Sequence, residues 1–467
     1  MPEARGITVS TFFDPAWQAA SVALDVLAAA QAAPAALAAR RRMRLHALVE
    51  SARRGSALYR QRLGGLDARA LERIEPVGKD ELMSRFADWV TDPVLELDAL
   101  QAFMADPARI GMPFRDRWWV WESSGSSGRP GVFVQDAAAM AVYDALELLR
   151  RTPLDPLRRW FDPWYQAERS AFVGATDGHF ASIVSLQRLR RLQPWLAPRL
   201  QAFSFLQPLA ALRAQLEAFA PTLLATYPSA ALLLAEERAA GRLAIAPREI
   251  WTGGEALSPP MRSQIEQAFG CPLANSYGAS EFLALAAPCR HGVLHLNSDW
   301  VILEPVDAQD RPVPPGESGA ATLLTNLANH VQPLIRYRLG DRVRLLPPCD
   351  CGSALPALEV VGRVDDSLVL HDAGGHPVRL LPLALTTVLE EQGGVLDFQL
   401  VQRGARALAL WVAEPGATAA LPRACTALRA YLRTQGLAGV RVQAQHGPPP
   451  PPGRSGKRAR VLALPSA

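Results

Sequence analysis

The sequence predicts a mixed α/β (α+β) protein: a large N-terminal domain of α/β sheets with a β subdomain, then a small C-terminal α+β domain. Three observations lead there. At 467 residues the chain exceeds one ordinary hydrophobic core. Between about residues 135 and 330, helical patterns alternate with short apolar runs, which predicts strands and helices layered on one sheet. After Gly362-Arg363-Val364-Asp365-Asp366 the character changes again, which places the expected boundary there and divides the chain into 1–364 and 365–467.

Taken in order, residues 1 to about 115 read as mostly helical, with apolar residues at helical spacing in Leu45, Leu48, Val49 and Ala52. The Ala/Arg-rich stretch Ala19 to Arg42 contains Asp25, Gln31 and Pro34 and has no continuous apolar centre. It reads as one or two helices rather than a targeting or membrane-spanning segment. Val77-Gly78-Lys79-Asp80-Glu81 reads as a turn entering a helix with acids in its first turn; Lys79 is best read as a solvated surface lysine. Trp118 to Trp121 and Val132 to Val134 read as strands flanking a Ser/Gly loop. Further on come a helix at Ala139–Leu149, a strand at Ala171–Gly174, a helix at Leu206–Phe219, a strand at Leu223–Thr226 and a helix at Ser229–Ala240. A strand at Glu249–Thr252 and a helix at Pro259–Phe269 follow. In such a sheet, ligands sit at the carboxyl ends of the strands, here Thr226-Tyr227-Pro228-Ser229 and Thr252-Gly253-Gly254-Glu255. From 290 to 365 the pattern turns strand-rich, and Gly447 to Gly453, with five consecutive prolines, reads as an extended arm.

Composition narrows the function classes. Hydrophobic residues make up 49% and charged residues 20%, a soluble globular balance. The net charge of +4, from 49 basic and 45 acidic residues, is too even to argue for nucleic acid. Five cysteines in a long chain point to a reducing cytoplasm, where clustered thiols signify metal or catalysis more often than disulfides. No membrane partner is expected, and a homodimer is left open.

The loop Glu122-Ser123-Ser124-Gly125-Ser126-Ser127-Gly128-Arg129-Pro130 is the centre of the functional reading. Backbone N–H groups and hydroxyls, unobstructed by bulky side chains, suit a polyphosphate. No Gly-Lys-Ser/Thr closes it, so it is not a Walker loop, and alone it also fits a plain serine-rich turn. Four more stretches share the chain with it: Ser276-Tyr277-Gly278-Ala279-Ser280-Glu281, Arg336-Tyr337-Arg338-Leu339-Gly340-Asp341, Gly362-Arg363-Val364-Asp365-Asp366, and Gly456-Lys457. Each has a bland alternative: a turn with a helix-start acid at Glu281, a surface ion pair between Asp341 and Arg363, a solvated basic tail at Lys457. Separately, Cys349-Asp350-Cys351 with Cys289 and either His291 or His295 makes a tetrahedral metal set, against free thiols as the alternative. Cys271 and Cys425 read as ordinary buried cysteines.

In that order and at those separations, the five stretches resemble the adenylate-forming superfamily of acyl–coenzyme A synthetases, luciferases and peptide-synthetase adenylation domains. Pro333-Leu334-Ile335-Arg336-Tyr337-Arg338, Gly292-Val293-Leu294-His295-Leu296-Asn297 and Cys349-Asp350-Cys351-Gly352 are most similar to the phenylacetate–coenzyme A ligase group. The resemblance covers nearly the whole chain. It implies a ligase that joins a carboxylic acid, aromatic by default, to the α-phosphate of ATP and then passes the acyl group to coenzyme A. An amine, a carrier protein or a hydroxyl is the rival acceptor, and an inactive nucleotide sensor the rival from another class.

By the same resemblance Ser123, Ser124, Gly125, Ser126, Ser127 and Gly128 hold the β- and γ-phosphates, and Glu281 helps bind Mg2+. Ser280 replaces the usual threonine. Asp341 accepts from the ribose hydroxyls; Gly253, Gly254, Glu255, Asn275, Ser276, Tyr277, Gly278 and Ala279 border adenine and substrate carboxylate; and Arg363 contacts ribose or phosphate. Lys457 neutralises the reacting oxygens during adenylation, and the small domain then rotates about Asp365/Asp366. Related ligases with this cysteine spacing carry structural Zn2+, which favours His295 beside Cys289, Cys349 and Cys351.

Overall fold

The computed structural model describes residues 15–65, 71–123, 130–150, 167–176, 178–204, 207–363, 368–380, 385–386, 388–395, 398–412, 417–446 and 460–462. The Ala/Arg-rich stretch is two helices, Pro15–Ala30 and Pro34–Gly55, the second opening on a proline whose missing N–H costs nothing in the first turn. They are tied to the middle of the chain by ions. Asp299, fully buried, takes both guanidinium nitrogens of Arg150 at 2.7 Å, and its carbonyl accepts from Arg44 at 2.7 Å. Arg44 also pairs with Asp25 and stacks over Trp300 at 3.4 Å. Among the described residues no helix is long and apolar enough to cross a membrane.

Strands β1 (Trp119–Glu122) and β2 (Val132–Gln135) pair antiparallel, so the Ser/Gly stretch joins a hairpin. Strands β3 (Ser170–Gly174), β4 (Leu200–Ser204), β5 (Leu223–Thr226), β6 (Glu249–Gly253) and β7 (Leu273–Ala279) form a parallel half-sheet. The intervening helix placed by sequence at Leu206 starts at Leu209, because Pro208 caps it from an extended conformation; Leu206 itself lies outside the described residues. Strands β4 and β7, absent from the sequence reading, carry the polar residues Gln201, Asn275 and Ser276 and so lack a clean apolar run.

The strand-rich stretch divides between two sheets. β10 (Val301–Val306), β11 (Ala321–Asn326) and β12 (Tyr337–Leu339) form a three-stranded meander. β8 (Phe282–Pro288), β9 (Leu294–Leu296), β13 (Asp341–Leu345) and β14 (Ala357–Arg363) extend the parallel half antiparallel, giving nine strands in the order β13-β14-β9-β8-β7-β6-β5-β3-β4. Beyond residue 367 come the hairpin β15 (Leu368–His371) and β16 (Pro377–Leu380), then a sheet ordered β19-β18-β17-β20. Its strands are β17 (Phe398–Gly404), β18 (Ala407–Val412), β19 (Arg441–His446) and β20 (Val461–Leu462), covered by the helix Ala417–Thr434.

Apolar side chains of this last part gather into a cluster of their own, from Leu368 to Val461. Two other clusters serve the remainder, one under the parallel half-sheet and one joining the N-terminal helices to the hairpin and the meander. Arg336, 2% exposed, fastens the meander to the N-terminal region. Its guanidinium donates to Glu72 O at 3.0 Å, Ile74 O at 2.7 Å and Asp310 O at 3.1 Å, and meets Glu304 at 3.3 Å. Burial raises the Glu304 carboxyl above its ordinary value despite that neighbour.

Candidate functional site

The site assembles where the parallel half of the sheet turns antiparallel. β7 ends in Tyr277-Gly278-Ala279, and its register with β8 slips between Tyr277 and Ala279. Gly278 is required at this bulge, since a Cβ there would stand 2.0 Å from Leu283 O. The bulge aims the Tyr277 hydroxyl at Asp341 Oδ2, 2.9 Å away. Asp341 opens β13, four strands from β7 in the sheet, which in a flat sheet would be about 19 Å. Their contact therefore requires the sheet to curl strongly on itself.

Glu281 lies in the turn from β7 to β8. Its carboxylate accepts from Tyr337 Oη at 3.0 Å, and its carbonyl accepts from Asn326 Nδ2 at 2.9 Å. The preceding carbonyl, of Ser280, accepts from Trp121 Nε1 at 2.8 Å. Two carboxylates distant in sequence, one in this turn and one meeting the strand that leads into it, are thus each held by a tyrosine hydroxyl.

The neighbouring strand ends carry the remaining expected residues. Thr252 Oγ1 donates to Asn275 Oδ1 at 2.9 Å, and Ser276 Oγ to Thr252 O at 3.4 Å. Gly253 adjoins Ser276, with room for a Cβ only at 3.1 Å from its carbonyl, and Gly254 holds φ +78°. Glu255 reaches back to accept from Ser229 N at 3.0 Å, at the start of the helix Pro228–Ala239. Tyr227 lies beside it, its hydroxyl pushed by burial up to about 12.

At the hairpin, Ser123 N donates to Gly131 O and Gly131 N to Ser123 Oγ, both at 2.8 Å, closing the base of the loop. Ser124, Gly125, Ser126, Ser127 and Gly128 lie outside the described residues, as does Lys457. The backbone of Arg363 pairs with Asp341 across β13 and β14.

Sequence reasoning missed a buried polar set behind this site. Tyr143 Oη donates to Gln135 Oε1 of β2 at 3.2 Å and accepts from Asn326 Nδ2 at 2.9 Å. Asn329 Nδ2 bonds Gln135 Oε1 at 2.9 Å and Val134 O at 2.8 Å, while Gln332 both donates to Val132 O and accepts from Val134 N. All five are at most 1% exposed. The signal was present: Asn326, Asn329 and Gln332 recur every third residue, with Leu327, Ala328 and Val331 between them and His330 the one other polar residue. Buried amides demand partners, and there they find them.

The other constellation forms at the far end of β8. Cys289, His295, Cys349 and Cys351 bring their ligand atoms within 4.8 Å of one another. Cys289 and Cys349 sulfurs are 3.9 Å apart, and Cys351 Sγ is 3.3 Å from His295 Nε2. His295 Nδ1 is 2.8 Å from Leu355 O, so it carries the proton and leaves Nε2 with a free lone pair facing the cysteines. His295 and not His291 completes the set; the exposed His291 ring meets Arg290 instead. Burial works against thiolate formation at both Cys289 and Cys351. At Cys289, backbone N–H groups of His291 and Val293 outweigh it and hold the thiol below its ordinary value. Cys271 and Cys425 are buried single thiols, as read from sequence.

No family model matches the chain. Over 176 residues it is 30% identical to the phenylacetate–coenzyme A ligase of Thermus thermophilus, covering 35% of this chain and 38% of that protein. A second relative, Protein CapK of Staphylococcus aureus, is 29% identical over 163 residues, 34% of each chain. The matched part thus spans little more than a third of these relatives. By structure, the chain is similar to 2-hydroxyisobutyryl–coenzyme A ligase solved in the postadenylation state with 2-HIB-AMP. The TM-score is 0.64 at 21% identity, over 91% of this chain and 88% of that one. An anthranilate coenzyme A ligase with anthranoyl-AMP follows at 0.51 and 15%, over 72% and 64%. The sequence likeness is to phenylacetate–coenzyme A ligases, and the fold is that of the acyl–coenzyme A ligases.

Proposed function

We propose that the chain activates a carboxylic acid, aromatic by preference, as its acyl-adenylate and transfers the acyl group to coenzyme A. The observation that carries this reading is the pair of tyrosine-held carboxylates: Glu281, in the turn tied to the hairpin, and Asp341, which meets the end of β7. The sequence and fold likenesses support it, four of the five relatives being phenylacetate–coenzyme A ligases.

In the first half-reaction a carboxylate oxygen attacks the α-phosphorus of ATP and the bond to the β-phosphate breaks, releasing pyrophosphate. The protein's task is to align two anions and offset their charge. The Ser/Gly loop offers donors to the terminal phosphates, and Asp341 accepts from the ribose. Glu281 suits Mg2+, which prefers carboxylate, water and phosphate oxygens and, when bound, neutralises charge on the phosphates. Lys457 supplies the mobile cation. It stands three residues before Arg460 in the sequence. Arg460 stacks on Phe398 at 4.2 Å and reaches Met261 Sδ at 3.5 Å, in the helix that follows the Gly253-Gly254 turn. This anchorage and the separate C-terminal cluster support a small domain that carries Lys457 in and then swings it away.

At the other end of β8, three sulfurs and one imidazole nitrogen are the donor set of a closed structural Zn2+ site, with the tautomer already set by Leu355. Bound there, the ion would join the turn before β9 to the turn before β14.

ATP–pyrophosphate exchange across a panel of aryl and acyl acids, followed by product analysis with coenzyme A, tests the reading. Exchange with at least one acid and thioester formation are expected. Lys457→Ala should slow exchange about a hundredfold or more while sparing thioester formation from preformed acyl-adenylate. Absence of exchange with every acid, or equal loss in both half-reactions, would remove the reading or the role of Lys457 respectively.

A further inference from the structure

The Glu281 turn is fastened to the Ser/Gly hairpin along two separate hydrogen-bonded paths. From β1, Trp121 Nε1 donates to Ser280 O. From β2, Gln135 accepts from Tyr143, whose hydroxyl accepts from Asn326, which in turn donates to Glu281 O. Both strands of the hairpin therefore set the backbone at Glu281, and only its carboxylate remains to be aimed.

Tyr337 does the aiming, with a 3.0 Å hydrogen bond from a side chain only 3% exposed. The residue before it, Arg336, sits at φ +49°, a left-handed conformation that a bulky residue adopts at a cost. Four contacts of its guanidinium hold it there. Strain maintained by so many contacts has a consequence at the next residue. It sets the direction from which Tyr337 leaves the chain as β12 begins.

We propose that Tyr337 is the positioning residue for the Glu281 carboxylate, and that hairpin and acidic turn form one rigid unit that presents this carboxylate to the divalent cation of bound ATP. The inference rests on the adenylate-forming reading. A carboxylate already fixed by one hydrogen bond has less freedom to lose when a cation arrives, so removing that bond should weaken cation binding while leaving the nucleotide's own contacts in place.

The probe is Mn2+, titrated by electron paramagnetic resonance in the presence of a non-hydrolysable ATP analogue, on full-length wild type and Tyr337→Phe. The variant should bind Mn2+ about tenfold more weakly and need correspondingly more Mg2+ for half-maximal pyrophosphate exchange. Its metal-free affinity for the analogue should match wild type, and its melting temperature should fall by no more than about 4 °C, the cost of one lost hydrogen bond. Asn326→Asp serves as a second variant, since it alters the backbone tether to Glu281 and leaves the Tyr337 hydroxyl in place; it should shift Mn2+ affinity in the same direction. Unchanged Mn2+ affinity in Tyr337→Phe, or a lowered melting temperature with unchanged metal dependence, overturns the positioning role alone. Wild type that binds neither the analogue nor Mn2+ overturns the adenylate-forming reading and the inference together.

Discussion

Strand β8 has a constellation at each end, and the two are held together by opposite means. At its start stands Glu281, and at its finish Cys289, about 27 Å apart along the strand between them. At the Glu281 end the geometry is made by hydrogen bonds from uncharged donors: two tyrosine hydroxyls, buried amides and an indole, each with a partner. At the Cys289 end, three thiols from turns and an imidazole from β9 converge, with few hydrogen bonds to one another. On the proposed reading, the first end is built ahead of its ligand. The second has the form of a site whose final geometry is left to an ion. The difference teaches where each should fail: the first on loss of shape, the second on loss of metal.

The largest effect expected from breaking this contrast is at Gly278. Valine there would drive a Cβ to 2.0 Å from Leu283 O, so the bulge must open and Tyr277 must leave Asp341. Adenylation should fall by about a hundredfold or more, the usual consequence of misplacing a reacting group by about 1 Å. Pyrophosphate exchange on the folded variant decides it; activity within a few-fold of wild type would mean that the bulge does not shape the site.

Next comes Cys351→Ser at the opposite end. Bound zinc should fall from about one equivalent, measured by atomic absorption, and the melting temperature by about 4 °C or more. Exchange activity well below that temperature should remain near wild type, because the change lies a full strand away from Glu281. Zinc-free wild type of equal stability would erase the contrast, and a selective loss of activity without loss of stability would invert it.

The smallest effect is expected at Tyr143→Phe, which removes one hydroxyl between Asn326 and Gln135. A lost buried hydrogen bond of this kind costs about 1 kcal/mol, readable in urea unfolding. Part of the loss should appear as a weaker response to Mg2+, since the same hydroxyl lies on the path from hairpin to Glu281. A purely thermodynamic cost would limit the relay to stability.

Most helices and three of the five parallel strands could be read from sequence, because their signal is local: Glu249–Thr252 and Leu223–Thr226 are short apolar runs, and Pro259–Phe269 keeps helical spacing between a serine cap and a glycine. The candidate residues, too, were legible as residue types, since phosphate, ribose and zinc each ask for particular atoms. What the sequence could not express was convergence. Asp341 meets Tyr277 only because nine strands curl, and His295 rather than His291 joins the cysteines only because its ring faces Leu355 and Cys351. Tyr337 stood inside a motif singled out for its neighbours, and Asn326 was marked only by its spacing from Asn329 and Gln332; neither pattern shows the contact with Glu281. Local free energies decide which segments become helix or strand, and they are written residue by residue. The register, curl and burial that bring Glu281 beside Tyr337, 56 positions further along the chain, are properties of the packed whole, and only the tertiary structure decides them.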